Sequence, residues 1–207
     1  MYSLSYFKEN DREKILLFMK ENPFIILCGS TTSGLPVATH IPVLIDEREN
    51  GLFLRGHFMI KTDHHLAFEQ NPAALAIFNG PHTYVSASWY SDPKQASTWN
   101  YLTVHARGKI NFLGHEDLIR ILSETTAKFE NNHSSPSSFE KLSPDYVSRL
   151  SKAIVAFEMQ VEEIDNVFKL SQNRDKQSYE QIIKKLEQKG GDAKAIADEM
   201  KGRLNTL

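Results

Sequence analysis

Hydrophobic residues recur along the chain in two rhythms, every second position in some segments and every third or fourth in others, and the order of these segments predicts the architecture. "FIILCGS" is apolar and β-branched, as a buried strand requires, and "TSG" after it supplies turn chemistry. "VATHIPVLID" reads as a second strand. The Asn50-Gly51 pair in "ENG" then predicts a hairpin into a third strand, "LFLRGH". Pro42 removes an amide donor, which predicts an edge, a bulge or a position facing something other than a neighbouring strand. "ALAIF" reads as a buried strand, and "GPHTYVSASWY" resumes in extended form after a Gly-Pro break. Leu102, Val104 and Ala106, then Ile110 and Phe112, mark the apolar face of a long strand; Ala153, Val155, Phe157, Met159 and Val161 mark the last one.

The helical rhythm falls between these segments. Asn10 as N-cap, with Glu13 three residues on, predicts a helix from Asp11 to about Glu21 that Pro23 ends. "DHHLAFEQN" fits a short amphipathic helix stopped by Asn71-Pro72. His115 to about Glu130 carries Leu118, Ile119, Ile121 and Leu122 on one side. Residues 131–143 read as a loop, Ser143-Pro144 starts a helix to about Lys152, and two helices separated by Gly190-Gly191 follow Asp175. Short strands joined by hairpins, with helices inserted, predict a mainly β with α (α+β) fold. The form expected is a closed or split antiparallel barrel over residues 1–174, with a helical appendage over 175–207.

Composition narrows the classes of function. A chain of 207 residues, 41% hydrophobic and 24% charged, suits one principal core. It holds no run of about 18 apolar residues, and its first residues lack the order of a signal peptide, so a cytoplasmic location is expected. The single cysteine, Cys28, lies in an apolar run without flanking bases and reads as a small buried hydrophobe. A net charge of -2 gives no general attraction to nucleic acid, so the sequence does not support DNA binding unless it is local.

Four stretches are unusually rich in polar and aromatic residues: "ATHIP", "RGHFMIKTDHH", "STWNY" and "FKLSQNR". Buried polar groups cost free energy unless paired, so these stretches imply an internal network or a ligand. Singly, Trp99 fits a core aromatic, Asn100 a turn, His105 a hydrogen-bonded core histidine and "SQNR" a helix cap. Adjacent His64 and His65 cannot chelate one ion from a helix, and no metal motif is present, so no metal site is expected. A flavin asks for a cation and hydroxyls at its phosphate and for flat side chains and amides at its ring. Lys61 and Thr62, just before a helix start, suit the phosphate, with Arg55 a second candidate; Trp99 and Asn100 offer a plane and a carboxamide.

"ATHIP", "GPHTYVSASWY", "STWNYLTVHARG" and "KLSQNR", in this order, resemble the FMN-binding negative transcriptional regulators of the PaiB type, similar in turn to the pyridoxamine-phosphate oxidase group. The resemblance runs from "YFKENDREKI" past Arg174. It implies an FMN-binding split β-barrel and a homodimer with FMN at the subunit interface. It sets Thr39, His40, Ile41 and Pro42 beside the flavin, Arg55, His57, Lys61 and Thr62 toward its phosphate, and Trp99 and Asn100 near its ring. Lys169, Ser171, Gln172 and Asn173 would close the pocket. Many relatives carry "NPxW" and a basic residue where Thr62-Asp63-His64-His65-Leu66 stands here, a departure on the phosphate side. The function implied is repression of sporulation and protease genes. The alternatives are a flavin-dependent oxidoreductase acting on a small molecule, with His40 as candidate acid or base, and an FMN store or sensor.

Overall fold

The computed structural model describes residues 1–130 and 135–204, which leaves the first four positions of the expected 131–143 loop outside the described residues. Seven strands, β1 (Phe24–Ser30), β2 (Pro36–Pro42), β3 (Leu44–Arg48), β4 (Gly51–Met59), β5 (Ala73–Val85), β6 (Thr98–Phe112) and β7 (Ile154–Lys169), form one sheet in the order β2-β1-β5-β6-β7-β4-β3. Among the described residues six α-helices accompany it: α1 (Arg12–Glu21), α2 (Asp63–Gln70), α3 (His115–Glu130), α4 (Pro144–Ser151), α5 (Lys176–Glu187) and α6 (Gly191–Gly202). The fold is mainly β with α, as the sequence predicts. The Asn50-Gly51 hairpin is present, with Arg48 opposite Gly51. Pro42 ends β2, an edge strand, where a missing amide donor costs least.

Three local expectations are corrected. The helix N-cap is Asp11, not Asn10: Asp11 Oδ1 accepts from the amides of Glu13 at 3.0 Å and Lys14 at 3.4 Å. Glu9 Oε1 takes the Asn10 and Asp11 amides, so the capping register moves one residue on. "VATHIPVLID" is two strands, parted at Val43, whose amide leaves the ladder to donate to Pro23 O. β5 runs through Gly80-Pro81 without a break, because an extended backbone suits the fixed φ of proline wherever its nitrogen owes no ladder bond.

Contacts divide the chain into two compact units, the first comprising Met1–Phe18, Asn79–Val104 and Asp165–Leu207, the second Met19–Phe78 and His105–Ile164. In the second unit Leu118 and Ile121 of α3 are buried with Leu44 and Ala156, flanked by Leu113, Leu122 and Ile154. Complete burial of two such side chains contributes about 1.5–3 kcal/mol each. Gly108 is needed here: a Cβ on it would strike the Gln160 carbonyl.

The first unit contains the helical hairpin. Tyr179, Ile182, Ile183 and Leu186 line one face of α5 at helical spacing, and Ile196, Ala197 and Met200 line α6. Gly190 and Gly191, both at positive φ, make the turn between them. Asp175 caps α5 by accepting from the Ser178 amide at 2.9 Å, and the Tyr179 hydroxyl donates to Met200 O at 3.0 Å.

Candidate functional site

The candidate residues fall into two sets, one in each unit. In the second unit Thr62 is the N-cap of α2: its hydroxyl accepts from the His65 amide at 3.4 Å and donates to Met59 O at 3.0 Å. Lys61 before it has φ +62, and its amide donates to His65 Nδ1 at 3.3 Å. The Lys61 side chain is exposed at a helix N-terminus, where amide dipoles favour an anion. His64, in the segment that departs from many relatives, is buried and lies 2.9 Å from Thr62 Oγ1 and 3.1 Å from Asp63 Oδ1.

Thr39, His40, Ile41 and Pro42 lie on β2, opposite Leu27, Ile26, Ile25 and Phe24 of β1. His40 is exposed and stacks loosely on Phe24, centroids 6.3 Å apart, while Ile41 is buried. His57 lies on β4 opposite Ala156, and burial lowers its pKa, so the imidazole is held neutral.

Arg55 is the residue whose situation differs most from the expectation. Its side chain is 10% exposed; Nε donates to Asp46, and Nη2 donates to Asp46 at 3.1 Å and Glu124 at 2.7 Å. Two carboxylates therefore hold the guanidinium, and its pKa is raised by them against the opposing effect of burial. Burial pushes the Asp46 carboxyl up, but Arg55 and then Arg48 outweigh it and hold that carboxyl below its ordinary value. This is a structural ion-pair network on β3, β4 and α3.

In the first unit β6 separates its two candidates by strand alternation. Asn100 is completely buried, on the same parity as Leu102 and Val104, whereas Trp99 is 52% exposed. The Asn100 amide accepts from Ser171 Oγ at 3.0 Å and donates to Met200 Sδ at 3.6 Å. Trp99 lines an open cleft of about 390 Å³ with Asn79, Gly80, His82, Tyr101 and Leu102. Its ring centroid lies 6.0 Å from that of His82 and 6.1 Å from that of Tyr84. Sequence reading missed Asn79, His82 and Tyr101, although parity with Trp99 on an amphipathic strand was a signal for Tyr101.

The "KLSQNR" stretch forms a tight, self-bonded turn. Gln172 Nε2 donates to Phe168 O, and its Oε1 accepts from the Leu170 amide at 2.7 Å. Ser171 has φ +61, buried and tied to Asn100; Asn173 is exposed. Lys169 donates to Thr98 Oγ1, and its ammonium is pushed below its ordinary pKa by burial and then by the charge of Arg174. Among the described residues the two non-glycine positions at positive φ are Lys61 and Ser171, one in each candidate set. Such strain gathers where a site over-determines the backbone.

Comparison with known proteins adds to this geometry. A family model described as "Putative FMN-binding domain" matches residues 1–163. Protease synthase and sporulation protein PAI 2 of Bacillus subtilis (strain 168) is 36% identical over 205 residues, 99% of this chain and 98% of its own length. The solved flavocytochrome Anf3 from Azotobacter vinelandii is similar with a TM-score of 0.57 at 14% identity, covering 82% of this chain and 72% of that one. The conserved hypothetical protein Rv2991 from Mycobacterium tuberculosis is similar with a TM-score of 0.58 at 10% identity, covering 81% and 90%. The fold they share with this chain is the split β-barrel. No helix among the described residues is long and apolar enough to cross a membrane.

Proposed function

The chain belongs to the family described as "Putative FMN-binding domain", with FMN as its cofactor, and from that premise we propose that it is a homodimeric negative regulator of transcription, with FMN at the subunit interface. The residues fit the group chemically. The cleft beside Trp99, about 390 Å³, lies in the 300–1,000 Å³ range of small-molecule sites, and an exposed indole offers the plane a flat heteroaromatic ring needs. That half-exposed indole on a cleft of flavin-compatible size is the observation that carries the reading. Lys61 and Thr62 at the start of α2 offer a cation, a hydroxyl and helix amides for a phosphate.

In this reading Trp99, with Lys169, Gln172 and Asn173, forms the ring contacts of the first unit, and the family resemblance assigns Thr39, His40, Ile41 and Pro42 of the second unit to the flavin as well. Lys61 and Thr62 hold the phosphate, with His57 nearby along β4. Asn100 and Ser171 act from behind, fixing the strand that presents Trp99; Arg55 acts through its ion pairs. Bound FMN supplies a ring that can take up electrons, and His40 orients that ring. The relative's printed name, protease synthase and sporulation protein, supports control of such genes. The reading keeps the cytoplasmic location expected from the sequence. With a net charge of -2, any operator contact would be local.

Titration of the flavin-free protein with FMN, followed by the visible spectrum and tryptophan fluorescence, tests this. Saturation at one FMN per chain is expected, weakened in Trp99→Ala and accompanied by a dimer in light scattering. Binding that Trp99→Ala leaves unchanged would overturn the ring placement. For repression, a promoter gel shift at physiological salt should show sequence-dependent retardation; equal weak affinity for any DNA would refute direct repression.

A further inference from the structure

A second cleft in the first unit, about 190 Å³, is lined by Gln172, Arg174, Lys176, Tyr179 and Leu204. It falls below the roughly 300 Å³ at which pockets for ligands of drug or cofactor size begin. Neither Arg174 nor Lys176 has an ion-pair partner among the described residues. The carboxylate between them, Asp175, is committed elsewhere: it accepts from the Ser178 amide and hydroxyl and from Ser91 Oγ. The other polar lining groups are also taken. The Tyr179 hydroxyl donates to Met200 O, and Gln172 is bonded within its own turn.

Arg174 is held rigidly in place. Its guanidinium stacks on Tyr90 at 4.2 Å, and Nη1 donates to Gln95 Oε1. Its Nε is buried with no hydrogen-bond partner, a cost that proteins seldom carry without return. Lys169 adds a third positive charge close enough for Arg174 to depress its pKa. Two cations thus line the cleft without an ion pair, with Lys169 within electrostatic reach of Arg174, and the pre-oriented member is the residue whose planar fork suits an oxyanion.

We propose that this cleft is a binding site for a small phosphate or phosphomonoester, bordering the proposed flavin ring contacts at Gln172 and Lys169 but distinct from the Lys61 and Thr62 assigned to the flavin phosphate, with Arg174 as its anchor and Lys176 as its second cation. Its size excludes the flavin ring, and its charge selects a dianion over a neutral metabolite. The inference goes beyond the flavin reading and does not depend on it.

Calorimetric titration of the full-length protein with inorganic phosphate, in flavin-free and FMN-loaded forms, tests the proposal. Saturable binding is expected in both forms, with affinity falling as salt rises. Arg174→Gln should weaken it roughly ten- to hundredfold, the equivalent of one charged hydrogen bond. Lys176→Gln, at an exposed helix start, should weaken it less and provides the test should Arg174→Gln fail to fold. Absence of saturable phosphate binding, or equal affinity in both variants and wild type, would overturn it. So would phosphate binding that vanishes on FMN loading, because the cations would then serve the flavin phosphate itself.

Discussion

Replacing Asn100 by alanine separates two accounts of the same residue. As a ring contact, its loss would weaken FMN and leave the fold alone. In the structure the side chain is completely buried and bonded to Ser171 Oγ at 3.0 Å and Met200 Sδ at 3.6 Å. Asn100→Ala removes a hydrogen bond worth about 0.5–1.5 kcal/mol net and strands the Ser171 hydroxyl, at a further cost of about 1–3 kcal/mol. A loss near 3 kcal/mol corresponds, at roughly 2–4 °C per kcal/mol for a chain of this size, to a Tm lowered by about 6–12 °C. Because the network lies in the protein itself, the drop should appear with and without FMN. Trp99→Ala is the control: an indole half in solvent has little to lose on truncation, so its effect should be on the stabilisation that added FMN confers. Melting both variants over a range of FMN concentrations distinguishes the two. An Asn100→Ala protein that melts with wild type when flavin-free, yet binds FMN more weakly, would refute the network argument.

Further predictions follow from the second unit. Asp46 has a folded-state pKa below its unfolded value, so its ion pair contributes stability above the ordinary carboxylate range that is lost as pH falls through the folded pKa. Acid melts of Asp46→Asn should therefore lack part of the wild-type loss below about pH 4. Arg55→Met should cost about 1–3 kcal/mol at neutral pH, discounted because Asp46 and Glu124 are partly solvated, and less at pH 3, as urea titrations would read. His57, depressed by burial, binds its proton more readily unfolded, so stability present above about pH 6.5 falls as pH drops through the folded pKa; His57→Gln should flatten that slope.

Much of this molecule was legible in its sequence because period and punctuation are local properties. The Asn50-Gly51 hairpin, the helix start after Thr62, the long β6 and the Gly190-Gly191 turn each follow from a few neighbouring residues. Even the opposed roles of Trp99 and Asn100 were implicit in the alternation of β6, since Asn100 shares parity with Leu102 and Val104. What the sequence did not disclose lies in partners far along the chain. The hydroxyl that satisfies Asn100 is 71 residues away, and the carboxylate that shares Arg55 with Asp46 is 69 residues away, on another element. A cationic side chain in a polar stretch reads as available until the register brings a carboxylate to it. Asn10 and Asp11 are equally good caps by type, and only the hydrogen bonds of Glu9 decide between them.

The central claim is that a riboflavin phosphate docks its ring on the indole that β6 leaves in solvent. Titration of the flavin-free protein with FMN, read by the change in the visible flavin spectrum, tests it most directly in wild type and Trp99→Phe beside Trp99→Ala. The account predicts saturable binding that phenylalanine largely retains and alanine weakens by about three- to tenfold, the worth of an aromatic stack. Equal FMN affinity in all three proteins, or no binding by wild type, would contradict it.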